Sequence, residues 1–355
     1  MIVPVRELLA EGAALLPPAL VSPAARARLA AAAVGLPAAA SCAAVECRLG
    51  GSERVDLLVC LTAAEGGHRA LVQRRAELDL LSTPAWARVV AFCAEWADPG
   101  SPLYRGVPLL WLELDLPDDG ARGPSSVPAP YPFPCVEPAV PGGVAPARPG
   151  EVGRTGDGAA LPEQAGVIRR ALALLLGEPP PPAVDGALFR CIARLPPSGR
   201  AMHVAPLAVR ERAAVRLVVA MAKADVPAYL ARIDWPGSIA DIEALLDSMV
   251  PFTSHVGFHL DVGAAVEPML GLEISFPVVD LRWATALDRL VALGACLPDK
   301  RDAILAWPAD ARPWPGRAWP TRLRQGVMLK LVYRPDAPLE AKAYLGITPY
   351  VALFG

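Results

Sequence analysis

At 355 residues, 54% of them hydrophobic, and with a net charge of −2, the chain has apolar side chains enough for one large core or two ordinary ones. The balanced charge and a pI of about 6.1 argue against a general nucleic-acid surface, which is normally basic. No apolar run of about 18 residues is free of charge and proline, so no membrane span is expected.

The first apolar stretch contains Arg6 and Glu7 and lacks the leader and cleavage site of a signal peptide. Seven cysteines are scattered with no CxxC pair, which points to reduced thiols and a cytoplasmic protein. Forty prolines and an alanine- and arginine-rich vocabulary resemble a GC-rich bacterial genome.

Residues 5–35 read as one or two helices, interrupted at Pro17-Pro18 and restarted at Ser22-Pro23, where serine caps and proline tolerates the first turn. Ala44–Leu49 and Val55–Leu61, separated by Gly50-Gly51-Ser52-Glu53, form a hairpin signal. Its apolar face holds Val45, Cys47, Leu49, Val55, Leu57, Val59 and Leu61, and the other face holds Glu46, Arg48, Asp56 and Leu58. Helical periodicity covers His68–Leu81 and Thr83–Trp96, with Thr83-Pro84 as a start. Leu109 to Leu116 alternates as a half-buried strand that turns Trp111, Glu113 and Asp115 to one side, and Phe133–Glu137 is a poorer, proline-bounded partner.

The Pro/Gly-rich stretch 117–160 is an excursion, and Pro162 opens a helix ending near Gly177. Phe189–Leu195 reads as an extra strand. Ala201–Val204 pairs with Val215–Val219, and Asp225 to Met249 is helical. His255–Asp261 against Met269–Phe276 is a second clean hairpin, with His255, His259, Asp261, Glu273 and Ser275 on its polar face. A helix from Leu281 to Leu305 leads through a Trp/Pro-rich region, Trp307 to Trp319, to a final hairpin of Val327–Arg334 and Leu339–Gly346. There Met328, Lys330, Val332, Glu340, Lys342 and Tyr344 share the polar side.

The order hairpin-then-helix recurs about five times, so the fold class is α/β (α+β), with about ten antiparallel strands. Two open-sheet domains satisfy the same pattern. Closure into a barrel is preferred because it removes the sheet edges and lets helices cover the apolar faces, leaving the polar faces around a lumen. The chain is then one domain over 1–355.

Five such units, ending in Leu329-Lys330-Leu331-Val332-Tyr333-Arg334 and Ala341-Lys342-Ala343-Tyr344, resemble the ABBA (PT-barrel) prenyltransferases. The resemblance covers most of the chain as topology. It implies transfer of a prenyl group from an isoprenyl diphosphate to an aromatic or peptide acceptor in natural-product biosynthesis. It implies diphosphate bound by Arg48, Arg216, Lys330 and Lys342, an allylic cation shielded by Tyr344 and Trp111, and Glu46 as the base toward the acceptor. No cofactor is required, although magnesium is compatible; Asp118-Asp119, followed by Gly-Ala-Arg, is not a metal–diphosphate motif. The many carboxylates on the same faces favour an alternative, a non-catalytic barrel that binds a peptide or small molecule as an accessory protein. A metal site at His255, His259 and Asp261 is a further option.

Overall fold

The computed structural model describes residues 2–36, 40–73, 83–116, 128–136, 161–249, 253–274, 281–307 and 311–352. Its centre is one antiparallel sheet. In chain order the strands are β1 (Cys42–Arg48), β2 (Val55–Thr62), β3 (Leu109–Asp115), β4 (Pro130–Pro134), β5 (Arg200–Pro206), β6 (Val215–Ala222), β7 (His255–Val262), β8 (Val266–Ile274), β9 (Arg312–Trp314), β10 (Thr321–Tyr333) and β11 (Glu340–Val351). The sheet runs β4-β3-β2-β1-β11-β10-β8-β7-β6-β5, with the short β9 beside β10. Its ends meet where Cys135, just past β4, bridges His203 on β5 and the Val136 N–H donates to the Met202 carbonyl at 2.8 Å. The result is a nearly closed ten-stranded barrel in which, leaving aside the short β9, each strand neighbours the next in sequence and β11 returns to β1.

The short connections β1–β2, β5–β6, β7–β8 and β10–β11 lie at one end of the barrel, here called the turn end. The helical connections leave from the other, the helix end. Helices α1 (Val5–Ala13) and α2 (Pro23–Val34) precede the barrel, and α3 (Gly67–Gln73), α4 (Pro84–Trp96) and α5 (Pro102–Gly106) link β2 to β3. Next come α6 (Leu161–Leu176) and α7 (Pro182–Ala193), then α8 (Val226–Arg232) and α9 (Ile239–Met249), then α10 (Leu281–Ala292) and α11 (Pro298–Ala306). None of the described helices is long and apolar enough to cross a membrane. This is the layout that the ABBA resemblance implies.

The expected caps are present: Ser22 Oγ accepts from the Ala25 N–H at 3.3 Å and Thr83 Oγ1 from the Trp86 N–H at 3.4 Å, each followed by proline. The outward side chains of the strands form the main core with the helices. Leu57, Leu61, Leu217, Phe258, Leu329 and Leu345 are fully buried there, each worth about 1.5–3 kcal/mol of removal from water.

Three expectations are corrected. Phe189–Leu195 is not a strand: Phe189 lies in α7, which follows Pro179–Pro182 and buries Leu188, Cys191 and Ile192 on one side, a helical spacing. The helix expected from Leu281 to Leu305 is broken in two, because Gly294 adopts a left-handed backbone (φ 70°) that ends α10. The last hairpin is longer than the alternation suggested, beginning at Thr321 and ending at Val351. The excursion at 117–160 lies outside the described residues except for 128–136, as do residues 74–81 of the expected His68–Leu81 helix and Ser275-Phe276 of the expected Met269–Phe276 strand.

One side chain of the outer layer reaches the barrel wall. Lys300, on α11 and 5% exposed, donates to the carbonyls of Arg48 at 2.8 Å, Gly50 at 2.7 Å and Ser52 at 2.9 Å. Its ammonium fastens the β1–β2 turn to the helix. Lys300→Met keeps the stem but leaves three carbonyls without a cationic donor. It is expected to cost about 3 kcal/mol, measured by urea unfolding; a loss below about 0.5 kcal/mol would mean that the sheet alone holds the turn.

Candidate functional site

Alternation along each strand, together with the observed register, decides what meets inside the barrel. Glu46 on β1 lies opposite Asp56 on β2 and Tyr344 on β11, and Arg48 lies opposite Lys342. Asp56 faces Asp115 on β3, and Glu113 faces Tyr131 on β4. On the other wall Arg216 of β6 pairs with Asp261 of β7, and Lys330 of β10 sits between Glu273 of β8 and Lys342 of β11. These groups form a charged belt near the turn end. Toward the helix end the inward positions are apolar: Ala44, Leu58, Cys60, Trp111, Phe133, Val218 and Met328.

The belt is tightly paired. Arg48 reaches Glu46 at 2.8 Å and Asp56 at 2.6 Å, and Lys342 reaches Glu46 at 3.0 Å. Burial alone would raise the Glu46 carboxyl, but Lys342, Arg48 and Lys330 together hold it far below the usual carboxylate range. The Tyr344 hydroxyl is also bonded to Glu46, and burial with the surrounding carboxylates pushes that phenol well up. Asp56 and Glu113 are raised, burial outweighing Arg48 and Arg210 respectively.

Asp261 is fully buried and receives Arg216 Nε at 2.7 Å, Arg216 Nη2 at 3.0 Å and Arg212 Nη1 at 2.7 Å. Although burial works against it, these bonds keep the carboxyl low.

Lys330 is different. Its Nζ donates to His259 Nδ1 at 2.9 Å, while His259 Nε2 bonds Glu273 at 2.5 Å. Burial, reinforced by Lys330, lowers His259 to about 4. The ring is therefore neutral near pH 7, donating from Nε2 and accepting at Nδ1. The direct partner of Lys330 is thus a neutral imidazole, and burial plus the nearby Arg216 lowers the ammonium to about 8. Gly271, opposite His259, makes room: a Cβ there would come within 2.8 Å of Lys330 Cε.

The predicted residues Glu46, Arg48, Arg216, Lys330, Lys342 and Tyr344 therefore come together in the belt. Trp111 lies one inward position closer to the helix end than Glu113, between Cys60 and Phe133. His255, His259 and Asp261 do not converge. His255 Nδ1 bonds Ser254 at 3.1 Å, His259 serves Lys330 and Glu273, and Asp261 serves two arginines. Among the described residues, the one group of three or more possible ligands close enough to share an ion is Glu46, Asp56 and Glu113, whose oxygens lie within 4.8 Å of one another.

Sequence reasoning missed Arg210 and Arg212. They lie in the β5–β6 turn, where no alternation marks an inward position. Arg210 bonds Glu113 at 2.8 Å and Asp115 at 3.0 Å and lies over the Tyr131 ring at 4.5 Å, and Arg212 also reaches Glu267.

No family model and no curated protein matches the chain. Among solved structures it is similar to the prenyltransferase PriB in its apo form (16% identity, 96% of this chain and 93% of that one, TM-score 0.49). It is likewise similar to PriB in a binary complex with product diphosphate (16% identity, the same coverage, TM-score 0.47).

Proposed function

We propose that this barrel transfers a prenyl group from an isoprenyl diphosphate to an aromatic or peptide acceptor. The observation that carries the reading is Lys330, a buried cation in the belt whose hydrogen-bond partner is a neutral imidazole, with Arg216 and Lys342 nearby. The carboxylates nearest it, Glu273 and Glu46, are already engaged by His259 and by Arg48 and Lys342, so an anion brought to the ammonium would relieve the cost of its burial. In this reading the diphosphate sits at Lys330 and the chain points toward Trp111 and Phe133. The C–O bond to the allylic carbon breaks, its electron pair leaving with the diphosphate, where Lys330 offsets the growing charge. Tyr344 and Trp111 offer aromatic faces to the allylic cation. The acceptor's π pair forms the new bond, and the proton that the acceptor then gives up passes to an oxygen of the released diphosphate. Glu46, held strongly ionised, is better suited to accept a hydrogen bond from an acceptor N–H or O–H than to keep its proton.

A second reading, a binding barrel without transferase chemistry, is favoured by the pairing of Arg48, Arg210, Arg212, Arg216 and Lys342 with carboxylates, which leaves little net positive charge for a diphosphate. Thermal unfolding with dimethylallyl, geranyl and farnesyl diphosphate and with pyrophosphate separates the two, because a ligand of the folded state raises the midpoint. A rise lost in Lys330→Ala supports transfer and directs an acceptor screen. No rise at millimolar ligand discards the transferase and leaves the binding barrel.

A further inference from the structure

The turn between β5 and β6 is built as a separate piece. Leu207 N–H donates to the Ala214 carbonyl at 2.9 Å and Arg212 N–H to the Leu207 carbonyl at 3.3 Å, so the turn is closed by its own bonds. Glu211 at its tip adopts a left-handed backbone with φ 56°. From this turn Arg210 reaches β3, at Glu113 and Asp115, while Arg212 reaches β7 and β8, at Asp261 and Glu267. The turn therefore sits at the mouth of the barrel, pinned on either side to nearby strands. Behind it lies a cavity of about 290 Å³, lined on one side by Ala208, Glu211 and Ala213 and on the other by Pro179, Pro180 and Val184.

The pins are releasable, unlike the pairs deeper in the belt. If Arg212 leaves, Asp261 keeps both bonds from Arg216. If Arg210 leaves, Asp115 keeps Arg54 at 3.5 Å, and burial already raises the Glu113 carboxyl, which favours its neutral form. Glu267 and Asp115 are partly exposed, at 34% and 38%, where ion pairs hold weakly. A polyphosphate offers a guanidinium more charge than one such carboxylate and a matching pair of oxygens.

We propose that Arg210 and Arg212 are the outer half of a diphosphate-ester site that begins at Lys330, exchanging their carboxylate partners for phosphate oxygens that they keep in the bound state. This rests on the reading of the lumen as a diphosphate site. The cavity behind the turn gives it space to move during the exchange.

The test is isothermal titration of pyrophosphate and geranyl diphosphate into the full chain and its Arg210→Gln, Arg212→Gln, double and Lys330→Ala variants. Arg301→Gln, on α11 outside the barrel, controls for the loss of one positive charge. Amide exchange across 207–214 is followed with and without pyrophosphate, and thermal unfolding confirms that each variant folds. Each single turn variant is expected to weaken binding at least tenfold and the double at least a hundredfold, with Arg301→Gln unchanged. Pyrophosphate is expected to alter exchange across 207–214 in the native chain and not in the double variant. Binding that is lost in Lys330→Ala but intact in the double turn variant overturns the outer half-site and leaves the lumen reading standing. A native chain that binds neither ligand removes the lumen reading and this inference with it.

Discussion

Asp261→Asn is expected to lower the unfolding free energy by about 3–5 kcal/mol, read from urea titrations at pH 7. The side chain is fully buried and accepts three bonds from two guanidinium groups. Asparagine has the same shape but no charge, and it turns an NH₂ group or a weak amide oxygen toward Arg216. That guanidinium is itself only 7% exposed and then has no anion against it. The second substitution decides the cause. In Asp261→Asn/Arg216→Met the stranded cation is gone, and most of the loss is expected to return, since an apolar group can replace a buried ion pair at little cost. If the double variant is as unstable as the single, the damage lies in packing rather than charge. Because the folded-state carboxyl lies below its unfolded value, the pair's contribution is complete above about pH 4 and is lost as pH falls through the lowered folded value.

The second large effect concerns pH at Lys330. With the folded ammonium near 8 and the unfolded one near 10.5, the unfolded chain holds a proton that the folded chain has released anywhere between those values. The stability of the free protein is therefore expected to rise with pH across that window, by up to roughly 3 kcal/mol from this group. Stabilisation by pyrophosphate should move the opposite way, falling as pH passes about 8, because the anion needs the protonated amine. An ordinary exposed lysine would keep binding until about pH 10. At the acid end His259, near 4 when folded and 6.5 when free, makes stability fall as pH drops from 6.5 to 4. Lys330→Met should erase the alkaline trend and pyrophosphate binding together. A binding profile flat to pH 10 would show that Lys330 does not meet the ligand.

The barrel was legible because its strands are covered on one side only by helices. Val55–Thr62 and Leu109–Asp115 alternate cleanly, since leucine and valine go outward and the belt goes inward. The polar face of Glu46, Arg48, Lys330, Lys342 and Tyr344 followed from that period, and its turning inward from the expectation that the sheet closes. What the period does not contain is register, and register is what puts Arg48 beside Asp56 and Lys330 beside Glu273. The abundance of carboxylates on the inward faces was visible, but their assignment to particular cations was not. Arg210 and Arg212 escaped for a different reason: turns have no face, so nothing local distinguishes an arginine reaching into the mouth from one in water. At Phe189–Leu195 the bulky residues Phe189, Cys191 and Ile192 imitate a short buried strand, and periodicity cannot separate the two over so short a run.

The closing pair of the barrel, β1 with β11, sets an order of events for the chain as it is made. Leaving aside the short β9, nine of the ten seams join strands that follow one another in sequence, whereas Lys342 and Glu46 meet across 296 positions. The β1–β2 hairpin therefore waits with one edge unpaired while the rest of the sheet is assembled, and its contacts carry the largest loop-closure cost in the sheet. Burial of Glu46 and Arg48 is complete only when the final strand docks, so ring closure and completion of the charged belt are one late step. A chain stopped before Glu340 would present β1 as an open edge, the kind of surface that recruits other strands.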